Sequence, residues 1–186
     1  TAGTEIIALQ AKTMGLPLVV QETAGEQETE LKDLEKALQK AKEQYYLQGI
    51  VSGALFSTYQ RDRIETICDK LGLKIFAPLW HKQPDAHMEE LLHAKFEIIF
   101  TAVAADGLDE TWLNRPITKI DIERLKKIRE KTYLNIAGEG GEFESVVLDC
   151  PLFQKKIEIT SSEIKMDSSH SGRVIIKNAR LIEKDD

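Results

Sequence analysis

The apolar positions of this chain keep two rhythms. Over residues 28 to 46, Leu31, Leu34, Leu38, Ala41 and Tyr45 recur at helical spacing with charges between them, which predicts an amphipathic helix ended by Gly49. Ile64, Ile67, Cys68 and Leu71 repeat the pattern up to Gly72, and Met88, Leu91 and Leu92 repeat it within residues 85 to 95. Glu5 to Met14 reads as a further helix. Between these segments lie apolar runs too short for helices: Leu18 to Val20 after the turn Gly15-Leu16-Pro17, Ile50 to Phe56, Leu73 to Trp80, and Phe96 to Val103. Strands apolar on both faces and separated by helices predict a parallel sheet covered on each side.

After Ala105 the rhythm changes. A loop from Asp106 to Thr118 leads into one more helix, with Ile122, Leu125 and Ile128 on a face. Strands are then expected at Ser145 to Leu148, Lys155 to Thr160 and Arg173 to Ile182, with Ser168 to Gly172 as the turn between the last two. The reading is an α/β protein in two lobes: a parallel-sheet lobe over 1–105 and a smaller, β-rich α+β lobe over 106–186.

Composition narrows the function. A chain of 186 residues with 42% hydrophobic and 30% charged residues is ordinary for a globular protein. A net charge of -6 argues against non-specific grip on nucleic acid or anionic lipid. No apolar run approaches a membrane span and the first residues show no signal pattern, so the cytoplasm is the default. Cys68 and Cys150 are expected as small buried apolar residues. Homo-oligomerisation is left open.

Two constellations carry chemistry. Gly138-Glu139-Gly140-Gly141-Glu142-Phe143-Glu144-Ser145 packs three glycines and three carboxylates into eight positions, a combination a scaffold has reason to avoid. The second is Ser57-Thr58-Tyr59-Gln60-Arg61-Asp62-Arg63-Ile64-Glu65, at a strand's carboxyl end where ligands of open α/β sheets bind. Ser57 or Thr58 can cap the helix, placing Arg61 and Arg63 where an anion would sit; the plain alternative is an Arg61–Glu65 pair at i, i+4. Tyr59 and Gln60 suit a base or sugar, or packing. Trp80, at a strand's carboxyl end, reads as core packing ahead of a pocket wall, Trp112 and Asp106 are further candidates to line a pocket, and Asp109 reads as the cap of a short helical turn. His81, His87, His93 and His170 show no metal-ligand or nucleophile spacing and are assigned no chemistry. The acids between 26 and 43 read as solvated helix faces.

Taken together, Gly53 to Glu65, Pro78-Leu79-Trp80, Gly107-Leu108-Asp109, and Gly138 to Ser145 with Val147-Leu148-Asp149 resemble the diphthine-ammonia ligase family of N-type ATP pyrophosphatases, in order and over nearly the whole chain. The resemblance implies a nucleotide-binding lobe of the adenine nucleotide alpha hydrolase type (HUP, Rossmann-like) and a family-specific C-terminal lobe. It implies ATP and Mg²⁺ as cofactors, and ammonium and diphthine-bearing elongation factor 2 as partners. ATP would adenylate the diphthine carboxylate and release pyrophosphate, and ammonia would displace AMP. Ser57, Tyr59, Gln60, Arg61 and Arg63 would then face the nucleotide, with Arg61 also stabilising transferred charge. Trp80, Asp106, Trp112, Gly138, Gly140, Gly141 and Phe143 would face the acceptor. Glu139, Glu142 or Glu144 would hold Mg²⁺ (Glu139 and Glu142 foremost), position ammonium, or take its proton.

The sequence also departs from the family. The Ser-Gly-Gly-x-Asp-Ser loop that cradles phosphates in this superfamily does not occur, so the first β-α unit is expected to be missing and ATP to bind weakly. Asn114-Arg115 stands where the family has glycine before arginine, a turn that Asn can still make. Competing readings are another ATP-dependent amidation or thiolation, and a non-catalytic nucleotide-binding or interaction module.

Overall fold

A computed structural model describes residues 2–24, 27–55 and 58–184. The chain forms two compact units, Leu18–Lys82 and the combination of Thr1–Pro17 with Gln83–Asp186.

The Leu18–Lys82 unit holds helix α2 (Gln27–Tyr45), strand β1 (Gly49–Val51), helix α3 (Thr58–Leu71) and strand β2 (Lys74–Phe76), following α1 (Ala2–Met14) in the chain. β1 and β2 are parallel, with Ile50 opposite Ile75 and Val51 opposite Phe76. Leu55, Ile67, Cys68 and Leu73 are buried, as their spacing requires. Both strands are shorter than their apolar runs, because the chain turns away after Val51 and after Phe76. Leu18 to Val20 join neither sheet, and Leu18 and Val20 stay exposed. Among the acids of α2, Asp33 departs from the solvated reading: it is buried and accepts a hydrogen bond from Lys36 Nζ at 2.9 Å.

The other unit contains α1, α4 (Pro84–His93), β3 (Glu97–Ala104), a 3₁₀ turn at Glu110–Trp112, α5 (Lys119–Thr132), β4 (Phe143–Asp149), β5 (Lys156–Ser168) and β6 (Ser171–Ile182). Its four strands run in the order β4-β3-β6-β5, every neighbouring pair antiparallel. This corrects the expectation for Phe96 to Val103. An apolar run carries no direction, and β3 finds antiparallel partners in β4 and β6 instead of extending β1 and β2. The boundary expected near residue 105 moves with it: the units divide at Lys82/Gln83, before α4 and β3, and α1 belongs with the later strands. The Thr13 hydroxyl shows why, donating to Lys155 O at 2.7 Å while accepting Lys155 N–H at 2.8 Å.

A continuous core unites Ile6 of α1, Met88 of α4, Ile99, Phe100 and Val103 of β3, Ile122 and Leu125 of α5, and Ile157, Val174 and Ile176 of β5 and β6. α5 starts on a capping box: the Thr118 side chain accepts Asp121 N–H, and Asp121 accepts Thr118 N–H. The β5-β6 hairpin carries cross-strand ion pairs Glu158–Arg180, Glu163–Lys177 and Asp167–Arg173 and turns at Ser169-His170.

Candidate functional site

The glycine and glutamate segment is a closed double turn that feeds β4. Leu134 and Ile136 are buried and anchor its entry. Asn135 then organises the turns: its Oδ1 accepts Ala137 N–H at 2.9 Å, and its carbonyl accepts Gly138 N–H at 3.0 Å. Gly138 O accepts Gly141 N–H at 3.1 Å, giving the second turn. Glu142 fastens the whole. Its Oε1 accepts Asn135 N–H and its Oε2 accepts Gly140 N–H, both at 2.8 Å.

This geometry explains two of the glycines. A Cβ on Gly140 would lie 2.6 Å from Glu142 Oε1, which the two amides hold in place. Gly138 has φ of 77°, and a Cβ there would meet the Phe143 ring at 2.9 Å. Phe143 stacks on Phe100 with ring centroids 3.9 Å apart and belongs to the core instead of a pocket wall. Trp112 is corrected likewise. It is 1% exposed, stacked on Phe100, with the Arg124 guanidinium 4.4 Å and that of Arg115 5.7 Å from its ring centroid.

The three glutamates therefore divide. Glu142 and Glu144 do not act from one face: the Glu142 carboxylate turns back onto the loop amides, while Glu144 sits in β4 opposite Ala102. Glu139 and Glu144 are exposed, and neither has a hydrogen-bond or ion-pair partner among the described residues. Asp106, in the loop after β3, is equally exposed and unpaired on the same terms. Ala104 of β3 ties these pieces together, since its N–H donates to Glu142 O at 2.8 Å and it pairs with Ser171 of β6. Gly141 is exposed with φ of 84°.

On the other side of the 105–108 turn stands His170, a residue to which the sequence assigned no chemistry. Its Nδ1 lies 3.1 Å from Leu108 O. A carbonyl only accepts, so Nδ1 carries a proton, and in the neutral ring the free pair is on Nε2. The sequence marks residues 168–172 as a turn but holds no signal for a contact 62 positions away.

Nearby side chains brace the site without entering it. Asp109 caps the 3₁₀ turn as expected, its Oδ1 accepting Thr111 N–H at 3.0 Å. Asn114 takes φ of 55°, so the turn before Arg115 survives without glycine. Arg115 donates to both Asp121 oxygens at 2.8 Å. Those bonds, with help from the Thr118 amide and hydroxyl, hold the buried Asp121 carboxyl well below the usual carboxylate range against the opposing cost of burial.

In the Leu18–Lys82 unit, Ser57 lies outside the described residues, as do the side chains of Tyr59 and Gln60. Arg61 makes the plain i, i+4 contact, Nε to Glu65 Oε1 at 2.6 Å, and also lies 4.9 Å from the Trp80 ring centroid. Trp80 falls in a turn after β2 instead of within the strand, and His81 N–H donates to Leu55 O at 2.9 Å. The segments following β1 and β2 are thereby joined, putting the Arg61–Trp80 stack beyond the carboxyl ends of both parallel strands. Arg63 is on α3, two residues further along.

Cys68 and Cys150 are buried free thiols, and burial raises the pKa of Cys68. Among the described residues no three His, Cys, Asp or Glu side chains gather where a metal would fit, and no helix is long and apolar enough to cross a membrane.

Comparison with known proteins covers nearly the whole chain. The diphthamide synthase N-terminal domain matches residues 1–75, and the diphthamide synthase C-terminal domain matches residues 83–182. The chain is 35% identical over 181 residues to a diphthine–ammonia ligase of Bos taurus and 34% identical over 181 residues to that of Homo sapiens. Each alignment covers 91% of this chain and 67% of the relative. It is also 32% identical over 197 residues to the diphthine–ammonia ligase of Schizosaccharomyces pombe, covering 32% of that longer protein. Two family domains in order, and relatives at this identity over most of the chain, place it in the diphthamide synthase (diphthine–ammonia ligase) family.

Proposed function

We propose that this protein amidates the diphthine carboxylate of elongation factor 2, using ATP to form an acyl-adenylate that ammonia attacks, with release of pyrophosphate and AMP. The observation that carries this reading is the ordered match of both family domains to the chain. A carboxylate resists attack by ammonia until its oxygen becomes a good leaving group, and adenylation supplies that.

In this reading the Leu18–Lys82 unit is the nucleotide side, of the adenine nucleotide alpha hydrolase type. Its support is the Arg61–Trp80 stack beyond the ends of β1 and β2. Arg61 keeps guanidinium N–H groups for phosphate while one is held by Glu65, and Arg63, Ser57, Tyr59 and Gln60 are assigned to the nucleotide by the family resemblance. The acceptor side is the Gly138–Ser145 loop. Glu142 shapes it, while Glu139, Glu144 and Asp106 offer unneutralised carboxylates to the quaternary ammonium of diphthine or to ammonium itself. A Mg²⁺ cage made of protein alone does not fit: both Glu142 oxygens already accept amides and no third ligand is at hand among the described residues. Magnesium is instead taken to arrive on the phosphates of ATP.

The test is AMP and pyrophosphate release with ATP, ammonium and diphthine-bearing elongation factor 2. Release that depends on the modified protein is expected. Its absence would sink the ligase reading.

A further inference from the structure

We propose that His170 is the base that makes ammonium nucleophilic at the acceptor site; the inference rests on the ligase reading above. Ammonium has no free electron pair, so a proton must leave before the nitrogen can attack. The acceptor loop offers poor bases. Glu142 holds two backbone amides, and Glu139 and Glu144 are exposed carboxylates, a class that is ionised but only weakly basic near neutral pH. Imidazole is matched to the task.

Geometry adds what chemistry requires. The hydrogen bond from Nδ1 to Leu108 O selects the tautomer of the neutral ring, the one whose free pair is on Nε2. Ser169-His170 closes the β5-β6 hairpin, Ser171 pairs with Ala104, and Ala104 N–H reaches the carbonyl of Glu142. His170 and the glutamate loop thus flank one end of β3, with Asp106 on the segment between them. Gly107, at φ of 90°, lies against Ile128 of α5, where a Cβ would come within 2.6 Å, so the segment that accepts the histidine is itself held. The charged groups nearest in the chain on the elements meeting His170 are Lys165, Asp167 and Arg173 of the hairpin, the last two paired with each other, then Asp106, Asp109 and Glu110 on the loop, with Arg115 neutralised by Asp121, and Glu139 and Glu142 beyond it. Their balance is acidic, which favours an ammonium neighbour.

The step balances as follows. Nε2 takes one proton from NH₄⁺; the freed nitrogen pair forms the C–N bond; the acyl C–O bond breaks and AMP leaves with its electrons. The second proton passes to water as the amide forms.

The experiment compares the wild-type protein with His170→Asn and His170→Ala, using ammonium or hydroxylamine as nucleophile and AMP release from ATP and diphthine-bearing elongation factor 2 as readout. Asparagine retains a donor for Leu108 O and has no basic nitrogen. Hydroxylamine is already neutral near pH 7 and needs no base. The expected result is a loss of about 100-fold in kcat/KM for ammonium in His170→Asn, with hydroxylamine within about twofold of wild type. The ammonium rate of His170→Asn should recover as pH rises and the fraction of free ammonia grows, with the wild type gaining less over the same range. Equal loss with both nucleophiles, or His170→Asn matching wild type while His170→Ala falls, would make the residue a structural latch and overturn the proposal. A wild type inactive with both nucleophiles removes the ligase reading itself, and the base with it, a failure seen in that control alone.

Discussion

In the unit built on β4-β3-β6-β5, Phe100, Val103 and Ile157 are wholly withdrawn from water, whereas in the unit built on β1 and β2 the strand residues Val51 and Phe76 remain 74% and 64% exposed. The difference lies in the number of partners. Four antiparallel strands close their inner face against α1, α4 and α5. Two parallel strands of three residues each bury Leu73 and the apolar face of α3 but leave the side carrying Val51 and Phe76 bare. Chemistry follows the same contrast. The Gly138–Ser145 loop is fixed by a core beneath it and by its own amides, while the Arg61–Trp80 stack rests on a small sheet and a cation–π contact.

The contrast can be broken most forcefully at Phe100, which stacks on both Phe143 and Trp112. Phe100→Ala should cost about 4 kcal/mol in urea unfolding. Asp121→Asn should cost about 2–3 kcal/mol, less than a fully buried ion pair because Arg115 keeps a third of its side chain in water. It should also change the acid limb. The folded-state pKa of Asp121 is depressed, so its contribution is complete above the unfolded value of about 3.9 and is lost as pH falls through the lower folded value. Wild-type stability should therefore drop below about pH 4 more steeply than that of the variant. A parallel fall in the two would show that the Arg115 bonds contribute nothing.

Gly138→Ala, strained at positive φ and pressed on Phe143, should cost about 2 kcal/mol. Glu142→Gln retains one acceptor for two amides and should cost about 1 kcal/mol, with faster hydrogen exchange at Asn135 and Gly140. Glu139→Gln should leave stability within about 0.5 kcal/mol. If it slows amide formation while Glu142→Gln acts through exchange and stability, the division between a loop lock and a ligand-facing carboxylate stands; unchanged amide formation in both would remove the role given to Glu139 at the acceptor side. Phe76→Ala, on the bare face, should change stability by less than about 0.5 kcal/mol. A larger loss would show that this face is packed in solution.

The helices were legible in the sequence because each carries its apolar stripe, α1 and α3 close on a glycine and α5 opens on a capping threonine. The loop of residues 138–145 was legible as an unusual turn, since three glycines among three acids are rare in a plain scaffold, although Gly138, Gly140 and Glu142 prove to serve the turn itself. The roles within it were not. Whether Glu142 reaches out or turns back depends on where Asn135 and Gly140 point their amides, and that depends on Leu134 and Ile136 being buried. Trp112 shows the same limit: an indole suits a pocket wall or a core equally, and the Phe100 ring decides for the core.

The amino-acid sequence by itself determined the order of the helices and of the strands after Gly49, the family motifs and the place where acids and glycines converge, because periodicity and turn chemistry are local. The tertiary structure alone decided that β3 joins an antiparallel sheet, that α1 belongs with strands more than a hundred residues later, and that His170 meets Leu108. Those outcomes depend on partners distant in sequence, and strand direction, burial and tautomer are properties of a contact instead of a residue.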